Sequence, residues 1–300
     1  MKTIQAGINK YSHIILIAPF VICFFLFIIM PTLAAVGLSF TRFNTIQAPE
    51  FIGLRNYAFA FTQDELLMQR VLPYTLQYAL IVGPGGYLLA FILAWLVSQL
   101  TRVPRTILTI ILFSPTLTGG VFMGAVWQAI FAGDQLGHLN ALLLRVGIID
   151  TPIAFLSTHA TTWLMPIMIV VGLWSSMGVG FLAIISGILN VDPEQYEAAY
   201  IDGVRNRFQE VIYVTIPNIR PQMLFAAVMA IVGTFSASGM GVALTGSNPT
   251  PQYAGQVIVN HIEDFGFIRY EMGYAAALSV ILLGLIYLMT RVSYRLFGDA

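Results

Sequence analysis

The sequence predicts an all-α membrane protein with six transmembrane helices. Three observations carry that prediction: the chain has little charge, the charge is unevenly spaced, and the stretches between are strongly apolar. Only 9% of the 300 residues are charged, against roughly 25% in an ordinary soluble domain. The apolar fraction is 58% and the mean hydropathy is +0.81. A water-soluble globule of this size needs far more charge on its surface. A soluble enzyme, a disordered chain and a nucleic-acid binder are thereby excluded. The last needs a basic excess to meet phosphates, whereas basic and acidic side chains here number 14 each.

The charges delimit six windows. Uncharged runs lie between Lys10 and Arg42, Arg70 and Arg102, Arg105 and Asp134, Asp150 and Asp192, Arg220 and Glu263, and Glu271 and Arg291. Each can hold the apolar helix of about 20 residues that crosses a bilayer. The two longest windows are single spans. One opens on the half-polar stretch Thr151 to Thr162, and the other includes Asn248, Pro249 and Pro251. The expected spans are 15–39, 75–99, 107–131, 163–190, 222–244 and 273–291, in one transmembrane domain over 1–300. The first run is too long for a signal-peptide core and has no small-residue cleavage site, so it reads as a retained span. With the N-terminus inside, the inner loops carry Lys2, Lys10, Arg102, Arg105, Arg205, Arg207, Arg220, Arg291 and Arg295. The outer loops carry Arg42, Arg55, Arg70, Arg145 and Arg269. That excess predicts both termini in the cytoplasm.

Chemistry-bearing residues are few. The single cysteine, Cys23, lies in the first span, so no intrachain disulfide is possible and it reads as a small apolar residue. His13, His138, His159 and His261 fall at span ends or in loops without metal-ligand spacing and read as structural or solvated. No metal site and no catalytic residue is expected. The spans hold no ionisable relay of the kind ion-driven carriers keep in the membrane. Lys2 and Lys10 are the only lysines, and neither stands in a phosphate-cradling glycine loop. If the chain serves an energised transport, the energy is expected from another subunit.

Polar content inside the spans is hydroxyl and glycine, and it is clustered. Span three carries Ser114-Pro115-Thr116-Leu117-Thr118-Gly119-Gly120. Span four carries Trp174-Ser175-Ser176-Met177-Gly178-Val179-Gly180, and span five Gly233-Thr234-Phe235-Ser236-Ala237-Ser238-Gly239. Hydroxyls beside an aromatic face suit a neutral polyhydroxylated ligand, through hydrogen bonds and cover for its C–H face. The same residue types also serve close helix packing in lipid, or hydrogen-bond their own helix carbonyls. The candidate pathway residues are Thr116, Thr118, Trp174, Ser175, Ser176, Thr234, Ser236 and Ser238. Trp95, Trp127 and Trp163 read as interface anchors, and Trp174 as a ligand platform or a packed aromatic.

The segment 191–221 gathers eight charges, from Asp192 to Arg220. Asp192 caps a helix, Pro193 fits its first position, and Gln195 completes a capping-box pattern. Gly203 fits a left-handed stop. A second short helix follows from Arg205, with Phe208, Val211 and Ile212 on one face. The result is a cytoplasmic helix–turn–helix elbow, or an amphipathic loop lying on the membrane surface.

At these residues the chain resembles a known family. Glu197-Ala198-Ala199, Gly203 and Thr215-Ile216-Pro217 resemble the EAA loop of ATP-binding-cassette importer permeases, in the variant of carbohydrate permeases of the maltose and glycerol-3-phosphate type. Phe51-Ile52-Gly53-Leu54-Arg55-Asn56-Tyr57, Asn140-Ala141-Leu142-Leu143 and Gly273-Tyr274-Ala275-Ala276-Ala277-Leu278-Ser279 are similar to the family's flanking patterns, in the right order. Two departures stand out: Pro217 follows Gly203 one position later than is usual, and Thr245-Gly246-Ser247-Asn248-Pro249 loosens an outer turn. The resemblance implies a type I importer permease fold in a bacterial inner membrane, moving a sugar or polyol inward. It implies coupling through Glu197, Ala198, Ala199, Asp202, Gly203 and Pro217. It also implies a second homologous permease, two cytoplasmic ATP-binding subunits that hold ATP and Mg, and an extracytoplasmic solute-binding protein, with no cofactor on this chain and no nucleic acid. The alternatives are a stand-alone carrier or channel for a neutral solute, or an importer permease for a non-sugar substrate.

Overall fold

The computed structural model describes residues 16–118, 120–157 and 161–297. Lys2, Lys10, His13, Gly119 and His159 lie outside the described residues. The chain divides into two compact units. One takes residues up to Gln63 together with Ile262–Ile281, and the other takes Asp64–His261 with the chain from Leu282.

In the first unit, α1 (Leu16–Leu38) is an apolar helix with none of its core stretch buried. A short hairpin follows, β1 (Thr41–Arg42) against β2 (Glu50–Phe51), with Thr41 opposite Phe51. Asn44 shapes its tip, accepting from the amides of Ile46 and Gln47. The segment Phe51 to Tyr57, which leads into α2 (Arg55–Thr62), is a structural clasp. Gly53 takes a φ of +64°, and Asn56 Nδ2 donates to the carbonyls of Ser39 and Thr41 at 2.8 and 2.9 Å. Tyr57 donates to the buried Ser39 hydroxyl at 2.7 Å. Gly273 runs so close to the Thr41 carbonyl that no Cβ fits. Beside it, the Tyr274 ring stands edge-on to Phe59 and Phe265, at centroid distances of 5.0 and 4.7 Å.

The second unit opens with α3 (Leu67–Ser98) and α4 (Arg102–Leu117). It continues with α5 (Gly120–Ile130), α6 (His138–Val146), α7 (Leu164–Trp174), α8 (Val179–Leu189) and α9 (Pro193–Ile201). Then come α10 (Arg207–Asn218), α11 (Arg220–Phe235) and α12 (Met240–Thr245). The chain closes with α13 (Ile258–Glu263) and α14 (Met272–Phe297), each of which has residues in both units. Helices α3, α8 and α11 form one core around Ala90, Ala94, Phe181, Ile184, Met223 and Ala226. Lipid tails are as apolar as leucine, so this packing gains little from the hydrophobic effect and depends on close approach. Gly180 provides it: a Cβ there would meet the Ala226 backbone at 3.1 Å. A second core joins Tyr78, Met123, Phe155, Met168 and Leu244.

Two buried polar side chains show how hydrogen bonds offset a low dielectric. Asn140, fully buried, donates to the carbonyls of Ala132, Asp134 and Ile153 and accepts from the Ile153 amide. His261 Nε2 pairs with Asp64 Oδ2 at 2.8 Å, a buried juxtaposition that the sequence left as an isolated histidine. Trp95 packs against the α3–α8–α11 core and Trp127 stacks on Phe131.

Spans three, four and five are not continuous helices. The expected span 107–131 bends by 102° between α4 and α5. The span 163–190 breaks at Ser175 to Gly178, between α7 and α8. The span 222–244 stops at Phe235, and Gly239, at φ +75°, starts α12. Each break falls in a hydroxyl–glycine cluster. These residues tolerate non-helical dihedrals and supply side-chain partners to the freed backbone. Thr116 Oγ1, for example, donates to the Met177 carbonyl at 3.2 Å, tying the third span to the break in the fourth.

Candidate functional site

Backbone that leaves the helix at membrane depth is tolerated where protein buries it or where it lines a cavity. Here a cavity of about 300 Å³ adjoins the breaks. Its polar lining is Thr116, Ser175, Ser176 and Thr234, joined by the phenols of Tyr78 and Tyr87; the rest is glycine and apolar side chains. Every aliphatic hydroxyl has its proton placed on a backbone carbonyl: Thr116 on Met177, Ser175 on Gly172 at 3.2 Å, Ser176 on Leu173 at 2.7 Å, and Thr234 on Ala230 at 2.9 Å. Each oxygen keeps lone pairs free to accept. Four of the eight pathway candidates therefore meet. Thr118, Ser236 and Ser238 are exposed elsewhere, and Trp174 is turned edge-on to Trp127 at 5.3 Å, outside the lining. Tyr78 and Tyr87 are the residues that sequence reasoning missed. A phenol inside an otherwise apolar span was their only signal.

The elbow spans α9 and α10. Asp192 Oδ1 caps α9 through the Glu194 amide at 3.0 Å, one residue short of the expected capping box at Gln195. Helix α9 ends on a double bond pattern, Gly203 N–H to the Tyr200 carbonyl and Val204 N–H to the Ala199 carbonyl. This is the Schellman stop, and Gly203 supplies the positive φ of +101° that it needs. Asn206 caps α10, accepting from the Gln209 amide at 2.9 Å. A π turn over Val211–Thr215 follows. Its wider ring accommodates one extra residue. At Ile219 the chain turns 83° into α11.

The two elbow helices are fastened by Glu210, only 5% exposed. Its carboxylate accepts from the Tyr200 hydroxyl at 2.5 Å, and both of its oxygens accept from Arg207 Nη1, at 2.8 and 3.1 Å. The bond to Glu210 pushes the Tyr200 phenol pKa up, with desolvation and the carboxylate charge adding to it; the same carboxylate raises that of Arg207. Further along, Tyr196 and Thr215 hydroxyls meet at 3.3 Å. Of the residues expected to couple, Glu197, Ala198, Asp202, Gly203 and Pro217 are exposed and Ala199 is half-buried. Apolar Ile201 and Phe208 beside them are 86% and 73% exposed. Among the described residues no His, Cys, Asp and Glu group has the arrangement of a metal site.

Broken apolar spans adjoin an uncharged cavity, and a capped polar elbow follows the fourth of them. Residues 84–297 match the family described as binding-protein-dependent transport system inner membrane component, and the chain belongs to that family. It is similar to the arabinooligosaccharides transport system permease protein AraP of Bacillus subtilis, 29% identical over 97% of this chain and 90% of that protein. It is 25% identical to the sn-glycerol-3-phosphate transport system permease protein UgpA of Agrobacterium fabrum, over 96% and 94% of the two chains. The fold matches a chain of a bacterial ABC transporter that imports the acidic polysaccharide alginate, with a TM-score of 0.76 at 21% identity, covering 98% of this chain and 99% of that one. The protein is thus an ABC importer permease of the type I fold, a transport subunit of the inner membrane, and the stand-alone carrier or channel falls away.

Proposed function

We propose that this subunit forms half of an inward pathway for a sugar or sugar-like polyol, and that its elbow, at Glu197, Ala198, Ala199, Asp202, Gly203 and Pro217, receives the stroke of a cytoplasmic ATPase. A second homologous permease completes the pathway, two ATP-binding subunits hold ATP and Mg, and an extracytoplasmic binding protein delivers the solute. The whole chain is one transmembrane permease domain with both termini in the cytoplasm and no cofactor of its own. The relative named for arabinooligosaccharides supports the substrate class. Substrate passes between the broken spans, where Thr116, Ser175, Ser176 and Thr234 line the cavity; Thr118, Trp174, Ser236 and Ser238 belong to its approaches.

The elbow carries the coupling proposal. Its polar groups are satisfied internally or by water, while Ile201 and Phe208 stay uncovered, which is the surface a protein partner buries. Gly203 supplies the test. A Cβ there meets nothing within 4 Å, so a larger side chain projects outward and clashes only with a docked partner. Gly203→Ala adds the strain of a positive φ, about 1–3 kcal/mol, with little bulk. Gly203→Leu adds bulk as well. Gly203→Leu is expected to abolish ATP-driven uptake and ATPase co-purification while membrane insertion stays normal, with Gly203→Ala less affected. Full uptake in Gly203→Leu would sink the docking reading.

A further inference from the structure

We infer that this chain's half of the cavity admits uncharged glycans or polyols and rejects anionic ones. The inference rests on the reading of this cavity as half of the pathway. Two independent features of the lining point to it. The first is charge: the lining residues are Tyr, Ser, Thr, Gly and apolar types, with no guanidinium, ammonium or imidazole among them. An ionised carboxylate or phosphate moved from water into such surroundings loses hydration that nothing repays, at a cost of several kcal/mol.

The second feature is the direction of the hydrogen bonds. Thr116, Ser175, Ser176 and Thr234 each donate to a main-chain carbonyl: Ser175 and Ser176 from the break back to the last turn of α7, Thr234 within α11, and Thr116 across to the break in the fourth span. Those bonds compensate backbone at or near the breaks, so the protons are committed by the architecture. What the four oxygens offer inward is lone pairs. A neutral sugar brings O–H donors and matches them; a carboxylate or phosphate brings only acceptors and faces them lone pair to lone pair. Tyr78 and Tyr87 add neutral phenols and no positive charge. The volume, about 300 Å³, is at the small end of ligand pockets, so a charged group entering it has little room to keep its own water. The alginate importer that shares this fold handles an acidic polysaccharide; the chemistry of this lining points the other way.

The sequence provides a clean probe, because Cys23 is its only cysteine. Replacing it by alanine and introducing Gly233→Cys places one thiol on the cavity wall, at a position where an added Cβ has open space. Ala230→Cys, also on the lining, is the second site should the first fail to assemble. In the complete transporter, embedded in nanodiscs without its binding protein, maleimide labelling is timed against two panels of equal ring number. One is neutral (arabino-, malto- and galacto-oligosaccharides, glycerol), the other anionic (galacturonate oligomers, alginate fragments, glycerol 3-phosphate). The expected result is several-fold slowing by members of the neutral panel and none by the anionic one. Slowing by anionic members at equal or lower concentration overturns the selectivity while leaving the cavity a glycan site. No slowing by any member of either panel at both thiol positions overturns the cavity as a ligand site, and the inference with it.

Discussion

The cavity and the elbow solve the same problem, irregular backbone between helices, in opposite ways. At the cavity, serine and threonine hydroxyls bond main-chain carbonyls at or beside the places where helices break, and charge is absent from the lining. At the elbow water is at hand. The helix ends are closed by short local caps, Asp192, Gly203 and Asn206. Charge is then free to hold the two helices together: Glu210 of α10 binds Tyr200 of α9 and is itself held by Arg207 on its own helix. The difference teaches where each surface can bind. The cavity is left with acceptors for a polar neutral solute, and the elbow with exposed apolar side chains for a protein.

The largest effect that separates the two regions comes from Glu210. Glu210→Ala removes the one carboxylate that the Tyr200 hydroxyl and the Arg207 guanidinium share. The expected outcome is faster amide exchange across 193–215 and a matching loss of ATP-driven uptake, with α3, α8 and α11 unchanged. Glu210→Gln keeps an acceptor for Tyr200 and is expected to retain much of the function. If amide exchange in the elbow is the same in Glu210→Ala as in the parent, the fastening role is wrong.

A smaller effect belongs to the cavity. Thr234→Val keeps shape and removes one acceptor worth about 0.5–1.5 kcal/mol, so the half-saturating concentration for uptake rises roughly two- to tenfold. The elbow should be untouched, as ATPase co-purification will report. An unchanged uptake curve would remove Thr234 from the pathway.

The smallest effect is a pH dependence of the elbow alone. The bond to Glu210 raises the Tyr200 pKa in the folded state. A group shifted in this direction contributes fully below its unfolded value, about 10 for tyrosine, and loses that contribution as pH rises through the folded value. The fastening should therefore be constant between pH 6 and about 9 and loosen only above about 10. Difference titration of tyrosinate absorbance between parent and Tyr200→Phe measures it; a transition below pH 9 contradicts the assignment.

Several elements were legible in the sequence because they are local. The spans follow from charge spacing, and the elbow from Asp192-Pro193 and Gly203, each of which sets its own backbone conformation. Hydroxyl clusters at 114–120, 174–180 and 233–239 were visible as clusters, yet packing and lining could not be told apart. That distinction depends on where a helix breaks, and glycine and serine tolerate a break without dictating one.

Taken alone, then, the sequence determined that this protein spans a membrane, where most of its apolar helices run, and that one polar loop carries the coupling pattern. Charge spacing and caps are properties of neighbours in the chain, so no partner is needed to read them. Only the tertiary structure decided which hydroxyls share a cavity, that their protons are already given to the backbone, and that Tyr200 and Arg207 meet on one carboxylate. The bond from Thr116 to Met177 joins residues 61 positions apart. Packing brings such groups together, and a low dielectric then makes their bonding obligatory.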